Sequence, residues 1–254
     1  MIYINGDSHS AGAELVNGYC FAEDDPRYLA WGRRAHPECI PHTFGYKLAN
    51  SLNQPFFCDA ESASSNDRIL RTTRKFISET KNKRDLFVII GWSTFEREEW
   101  LWGEDYLQVT ASGTDAVPVE WQQRYKDWVI DQTPQELARK RDYWADTIYN
   151  FHKELQQQEI KHLFFNSFSA FDLSKYTWDG CFVSETYTDY LTSNGYQTVT
   201  PDSYHFGMDA HIAWYKVLQK LVLEFYQPNQ GLTENKKQGI ITKAKVQTFT
   251  GFNR

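Results

Sequence analysis

Hydrophobic positions along the chain change period repeatedly, from two to between three and four and back, and that alternation predicts the elements. Ile2, Tyr3 and Ile4 form a short apolar run that ends in Asn5-Gly6-Asp7-Ser8. Such a run, stopped by a glycine, reads as a buried strand opening into a loop. Phe44, Leu48 and Leu52 recur at fours and predict a helix over 41–53, stopped by Gln54-Pro55 ahead of a second strand at 55–58. Ile69, Leu70, Thr73, Phe76 and Ile77 carry the next helical stripe, with Ser64 or Ser65 as N-cap. Asp-Leu-Phe-Val-Ile-Ile-Gly at 85–91 is apolar enough to be a strand buried on both faces.

Residues 92–133 hold five tryptophans among charges without a steady period, and read as an insertion over the C-terminal edge of the sheet. Thr133-Pro134-Gln135-Glu136 combines an N-cap, a proline at the first helical position and a capping-box glutamate. The stripe Leu137, Trp144, Ile148, Phe151 and Leu155 follows, then a fourth strand at 161–166 and a short helix near 185–193. Trp214, Tyr215, Leu218, Leu221, Val222 and Phe225 mark a terminal amphipathic helix, and the chain beyond Pro228 is polar. Strand–helix alternation over some 220 residues predicts an α/β fold, a parallel sheet between two helix layers. The expected organisation is one domain over 1–227 and a polar extension over 228–254.

Composition narrows the function. The 254 residues carry a net charge of −6, and the basic residues cluster only at Lys236, Lys237, Lys243 and Lys245 in the polar tail, which argues against a nucleic-acid partner. Cys20, Cys39, Cys58 and Cys181 form no Cys-x-x-Cys pair, so neither a common zinc motif nor a disulfide framework is expected. No signal peptide or spanning segment precedes the strand at residue 2, which fits a cytoplasmic setting without a membrane partner. The aromatic content of 16% suits a thick core or a surface for flat ligands such as sugars.

Ser8 follows the first strand, and ligands of open α/β sheets bind beyond the carboxyl ends of the strands. Asp202 and His205 share one loop before the last helix, a spacing that lets Asp202 orient His205 as the base for a Ser8 nucleophile. The alternative is that Asp7, Ser8 and Ser10 merely cap the next segment. Asp7-x-His9 also begins like a metallophosphoesterase, but the further Gly-Asn-His and Gly-His-x-His motifs are missing. His36, His42, His152 and His162 read as structural or exposed, and Asp209 and His211 as capping or surface residues. Arg97 lies in a Glu-rich run that reads as a solvated face or as an anion clamp.

Gly6-Asp7-Ser8 on a first strand and Asp202-x-x-His205 before a last helix resemble the SGNH, or GDSL, hydrolase family, and His211 fits its following helix. The overall style is also similar to SGNH-like proteins encoded by bacteriophages. The resemblance implies a flavodoxin-like three-layer sandwich and a cofactor-free, metal-free esterase for a small-molecule ester or glycan, such as a carbohydrate O-acetyl group. Ser8 would be the nucleophile, with His205 the base and Asp202 its orienting acid. Two blocks depart from the pattern. The expected oxyanion glycine is Ala63, and Gly91-Trp92-Ser93-Thr94 places Ser93 where the family has asparagine. The implied oxyanion donors are then the backbone of Ser8 and Ala63 together with Ser93 or Asn66, and Asp7, Trp92 and Arg97 are the expected substrate contacts. The altered blocks leave a second reading open, an SGNH-like binding or assembly module with little turnover.

Overall fold

The computed structural model describes residues 1–16, 33–111 and 117–226. Four parallel strands form the central sheet: β1 (Ile2–Asn5), β2 (Phe56–Cys58), β3 (Phe87–Trp92) and β6 (Lys161–Asn166), in the order β2-β1-β3-β6. Ile4 pairs with Cys58 on one side and Ile89 on the other, and Ile89 continues to Leu163. The helices between the strands are α1 (Ser8–Ala11), α2 (Phe44–Ser51), α3 (Asn66–Glu79), α4 (Gln122–Ile130), α5 (Pro134–Gln157), α6 (Tyr187–Ser193) and α7 (Met208–Tyr226).

Alternation along the strands divides the core into two layers. Ile2, Ile4, Phe87, Ile89, Leu163 and Phe165 face α2, α6 and α7, where Phe44, Leu48, Tyr187, Trp214 and Leu218 are buried. Tyr3, Val88, Ile90 and Phe164 face α3 and α5, against Ile69, Ile77, Trp144, Ile148 and Phe151. Each fully buried large side chain contributes about 1.5–3 kcal/mol of transfer free energy. Both faces of the sheet are therefore covered, as the apolar run of β3 requires. No helix among the described residues is long and apolar enough to cross a membrane.

Helix starts follow the predicted chemistry closely. Ser65 is the N-cap of α3, accepting from the Arg68 N–H at 3.3 Å. Thr133 caps α5 with Pro134 in its first turn. The capping box there is only half made, because Glu136 turns its carboxylate to Arg139. The segment predicted as one helix over 41–53 is a 3-10 turn (Ile40–His42) and then α2, with Thr43 capping α2 between them.

The tryptophan-rich segment contains a hairpin that its charges conceal: β4 (Glu98–Trp102) pairs antiparallel with β5 (Asp105–Val109). Trp100, Val109, Val117, Tyr125 and Trp128 form a small core of their own. The hairpin is bolted to the domain by Arg71, which makes two 2.7 Å bonds to Glu99, and by Lys140, 2.6 Å from Glu98. Cys39, Cys58 and Cys181 are free thiols. Cys20, the acidic Asp24-Asp25-Pro26 stretch, the basic tail and the extension over 228–254 lie outside the described residues.

Candidate functional site

The order β2-β1-β3 reverses the direction of winding between β1 and β3, and the crevice at such a switch point is where doubly wound sheets bind ligands. Gly6 and Gly91 bring the two strand ends together there. A Cβ at Gly6 would meet the Gly91 carbonyl oxygen at 2.8 Å and the Ser10 side chain, and Gly6 sits at φ 154°. The chain turns at this point into α1, whose N-cap is Asp7 and whose first residue is Ser8. Ser8 is 6% exposed, and its hydroxyl makes no hydrogen bond among the described residues.

Gly12 ends α1 in the left-handed conformation at φ 73°, and Glu14 follows at φ 62°. For a residue with a Cβ that conformation costs about 1 kcal/mol. Its effect is to turn the Glu14 carboxylate back over α1 toward the loop before α7. There His205 Nδ1 lies 3.0 Å from Glu14 Oε2, and the Ser203 hydroxyl donates to the same oxygen. Ser203 also accepts the His205 N–H at 2.9 Å, which fixes the backbone under the ring. The His205 hydrogen bond, opposed by partial burial and aided by Ser203, holds the Glu14 carboxyl below the usual range. An ionised carboxylate only accepts, so Nδ1 of His205 carries a hydrogen, and in the neutral ring the lone pair is then on Nε2.

Glu14 therefore occupies the position expected of Asp202. Asp202 is exposed, and its carboxylate makes no hydrogen bond to His205 among the described residues. At three residues' distance in one turn, Asp202 faces solvent while the chain direction aims His205 inward.

Asp7, expected at the substrate, is fully buried and anchors the crevice. Its Oδ1 accepts the His9 N–H at 3.1 Å and lies 3.3 Å from His9 Nδ1; its Oδ2 accepts the Ser93 hydroxyl at 3.1 Å and lies 3.7 Å from Arg97. Burial pushes the carboxyl up, but the charges and hydrogen bonds of His9 and Arg97 outweigh it and bring it down to about 2. A depressed carboxyl stabilises the fold above its ordinary value of 3.8 and loses that contribution as the pH falls toward about 2. The shift is worth about 2 kcal/mol. The stability lead of the wild type over Asp7→Asn, measured by urea unfolding, is expected to shrink from pH 5 to pH 2.5. A lead independent of pH would contradict the assignment.

His9 crosses the crevice. Its Nε2 lies 3.1 Å from the Tyr204 carbonyl, and its ring stands 5.3 Å from that of His205 and 4.2 Å from that of Phe168. His9 thus holds the 202–205 loop against the strand end that carries Ser8.

The expected oxyanion donors divide into two groups. Ala63 lies at φ 60°, the left-handed conformation suited to glycine, in a turn held beside β1 by the Glu61 N–H to Gly6 O bond of 3.1 Å. Its N–H and that of Ser8 donate to nothing among the described residues. Ser93 and Asn66 are already engaged. The Ser93 hydroxyl hydrogen goes to Asp7, while its oxygen accepts from Arg97 at 2.9 Å. Asn66 accepts the Ser93 N–H at 2.8 Å and donates to the Ser93 and Thr94 carbonyls at 3.2 and 3.4 Å, which clamps the end of β3 to the start of α3.

Trp92, expected at the site, is fully buried on the α5 side and meets Phe151 and Phe164 edge-on. It is the sixth residue of β3, and its side points into the core. Arg97 is no solvated charge; it bridges Ser93, the Ser64 carbonyl and Asp7 behind the crevice. His211 is buried at the start of α7, stacked on Phe44 and accepting its N–H at 3.2 Å. Burial, reinforced by His9 and His205, pushes it down to about 3. The sequence reading missed Glu14 and His9. Gly12 was the available signal for Glu14, because a glycine closing a one-turn helix folds the next residues back over it.

Fold and crevice together define a doubly wound α/β protein that sets a serine, a carboxylate-paired histidine and two backbone N–H groups, unpaired among the described residues, near one switch point. The chain belongs to a family of unknown function (DUF6071), whose model matches residues 22–201. The matched stretch contains Ala63, Asn66, Ser93 and Arg97 and leaves out Ser8, Glu14 and His205. No curated protein matches the chain.

Proposed function

We propose that this protein is a serine hydrolase of the SGNH type, with a flavodoxin-like fold, that cleaves small esters. The observation that carries the reading is the 3.0 Å His205–Glu14 pair, whose imidazole stands 5.3 Å from the ring of His9, the residue after Ser8. His205 Nε2 takes the Ser8 proton as Oγ attacks the ester carbonyl. The developing oxyanion is held by the N–H groups of Ser8 and Ala63. His205 returns the proton to the leaving alkoxide, then activates the water that hydrolyses the acyl-enzyme. Tyr204, 70% exposed beside His205, offers a flat apolar face at the rim, which supports a carbohydrate O-acetyl ester as substrate.

A second reading, an SGNH-like binding module with little turnover, draws on the engagement of Ser93 and Asn66. Loss of one oxyanion donor typically costs about 100- to 1,000-fold in turnover. Short-chain aryl esters distinguish the two. The wild type is expected to hydrolyse the acetyl ester at least about 1,000-fold faster than His205→Ala. Equal rates for the two proteins would favour the binding module.

A further inference from the structure

A second cluster of reactive side chains lies at the other end of the sheet. His152 comes from the last turns of α5, His162 is the second residue of β6, and Cys181 belongs to the loop that returns beside β6. All three are buried, and one ligand atom from each lies within 4.8 Å of the others. The backbone around the thiol is pinned on both sides. The Cys181 N–H donates to Trp178 O at 2.8 Å, and the Cys181 carbonyl accepts from Phe164 N–H at 2.8 Å.

Hydrogen bonding fixes the tautomers. His162 Nδ1 lies 2.8 Å from the Ile160 carbonyl, which only accepts, so Nδ1 holds the hydrogen and Nε2 presents a lone pair inward. That Nε2 is 2.7 Å from His152 Nδ1. A backbone carbonyl behind the distal ring nitrogen is the support that metal-ligating histidines usually have. As a closed pair the cluster is poorly satisfied. His152 Nε2 is buried without a partner, and the Cys181 thiol reaches only the Asp179 carbonyl at 3.9 Å. The rings of Tyr149, Trp178 and Phe164 pack against the two imidazoles.

We propose that His152 Nδ1, His162 Nε2 and Cys181 Sγ bind a zinc ion that staples α5 to β6 and to the 178–183 loop. Two imidazoles and a thiolate form a donor set suited to zinc and unsuited to magnesium or calcium. A water or the Asp179 carboxylate completes four-coordination; Asp179 is close enough to act electrostatically on both His152 and Cys181. Binding sends the Cys181 thiol proton to solvent and moves the His152 hydrogen from Nδ1 to Nε2. It also opens the 2.7 Å nitrogen separation to about 3.3 Å, the spacing of two ligands near 2.0–2.1 Å at a tetrahedral ion. The sequence concealed the set because its members lie 10 and 19 residues apart on three elements, outside any short motif.

Cobalt(II) is the probe. Titration of the metal-free full chain is expected to give tetrahedral visible bands together with a thiolate-to-cobalt charge-transfer band. Zinc at 100 times its Kd is expected to raise Tm by roughly 5–10 °C. Cys181→Ala, a small apolar exchange that leaves the core packed, is expected to remove the charge-transfer band. It should also weaken zinc by more than the roughly 10- to 100-fold that loss of an outer-shell partner costs. Cys58→Ala should change neither. A folded wild type with no thiolate band and no zinc-dependent shift in Tm would overturn the proposal. So would a thiolate band that survives in Cys181→Ala.

Discussion

Glu14→Gln is expected to lower ester turnover about 10,000-fold, while Asp202→Asn changes it by less than about threefold. The larger figure is the cost of losing the tautomer-fixing carboxylate in a serine–histidine–acid set. Glutamine is close in size to glutamate, but its amide can present either an oxygen or an NH₂ to Nδ1. When it presents the NH₂, the His205 hydrogen moves to Nε2 and the base has no lone pair for Ser8. Substrate affinity should change little, because Glu14 sits behind the ring and not in front of it. Steady-state kinetics on one acetyl ester for both variants check the prediction. A larger loss in Asp202→Asn than in Glu14→Gln would return the acid role to Asp202.

Gly6→Ala is expected to cost about 3 kcal/mol or more, a fall in Tm of roughly 6–12 °C. The added carbon would meet the Gly91 carbonyl at 2.8 Å, and that oxygen belongs to the central strand and cannot swing aside. The φ of 154° adds to the cost, because side-chain-bearing residues rarely adopt it. Relief by strand separation would also shift the turn that carries Ser8, so activity should fall in the fraction that remains folded. Thermal unfolding of the variant decides the matter, and an unchanged Tm would show that β1 and β3 are less tightly joined than their contact implies.

Local chemistry made most of the frame legible. Glycine and proline stops, the Ser65 and Thr133 caps and the apolar stripes located the four sheet strands and the main helices, because each signal acts within a few residues. The β4–β5 hairpin escaped notice since Glu98, Glu99, Glu104 and Asp105 mask its alternation; Glu104 and Asp105 are exposed at its tip, while Glu98 and Glu99 turn to Lys140 and Arg71. The sequence placed Ser8 and His205 where strand ends and helix starts must fall. It did not show which carboxylate pairs with His205. Asp202 and Glu14 are both carboxylates within reach by sequence, and the left-handed turn after Gly12 decides between them. Nor does sequence show that a hydroxyl or amide is already occupied, as those of Ser93 and Asn66 are.

The occupied groups bear directly on chemistry. With Ser93 and Asn66 holding the strand end together, an oxyanion would rest on two backbone N–H groups. Such a site is expected to be a modest catalyst on activated esters and to depend heavily on the His205–Glu14 pair. On the proposed mechanism Ala63 would supply one of these donors from its left-handed turn at φ 60°.

The proposed Ser8 nucleophile is tested by covalent labelling with a fluorophosphonate, read by intact mass and peptide mapping. A single adduct on Ser8 is expected between about pH 6 and 9. The adduct should be lost in His205→Ala and strongly slowed in Glu14→Gln. Well-folded wild-type protein that forms no adduct anywhere in that range, or forms one elsewhere than Ser8, would contradict it.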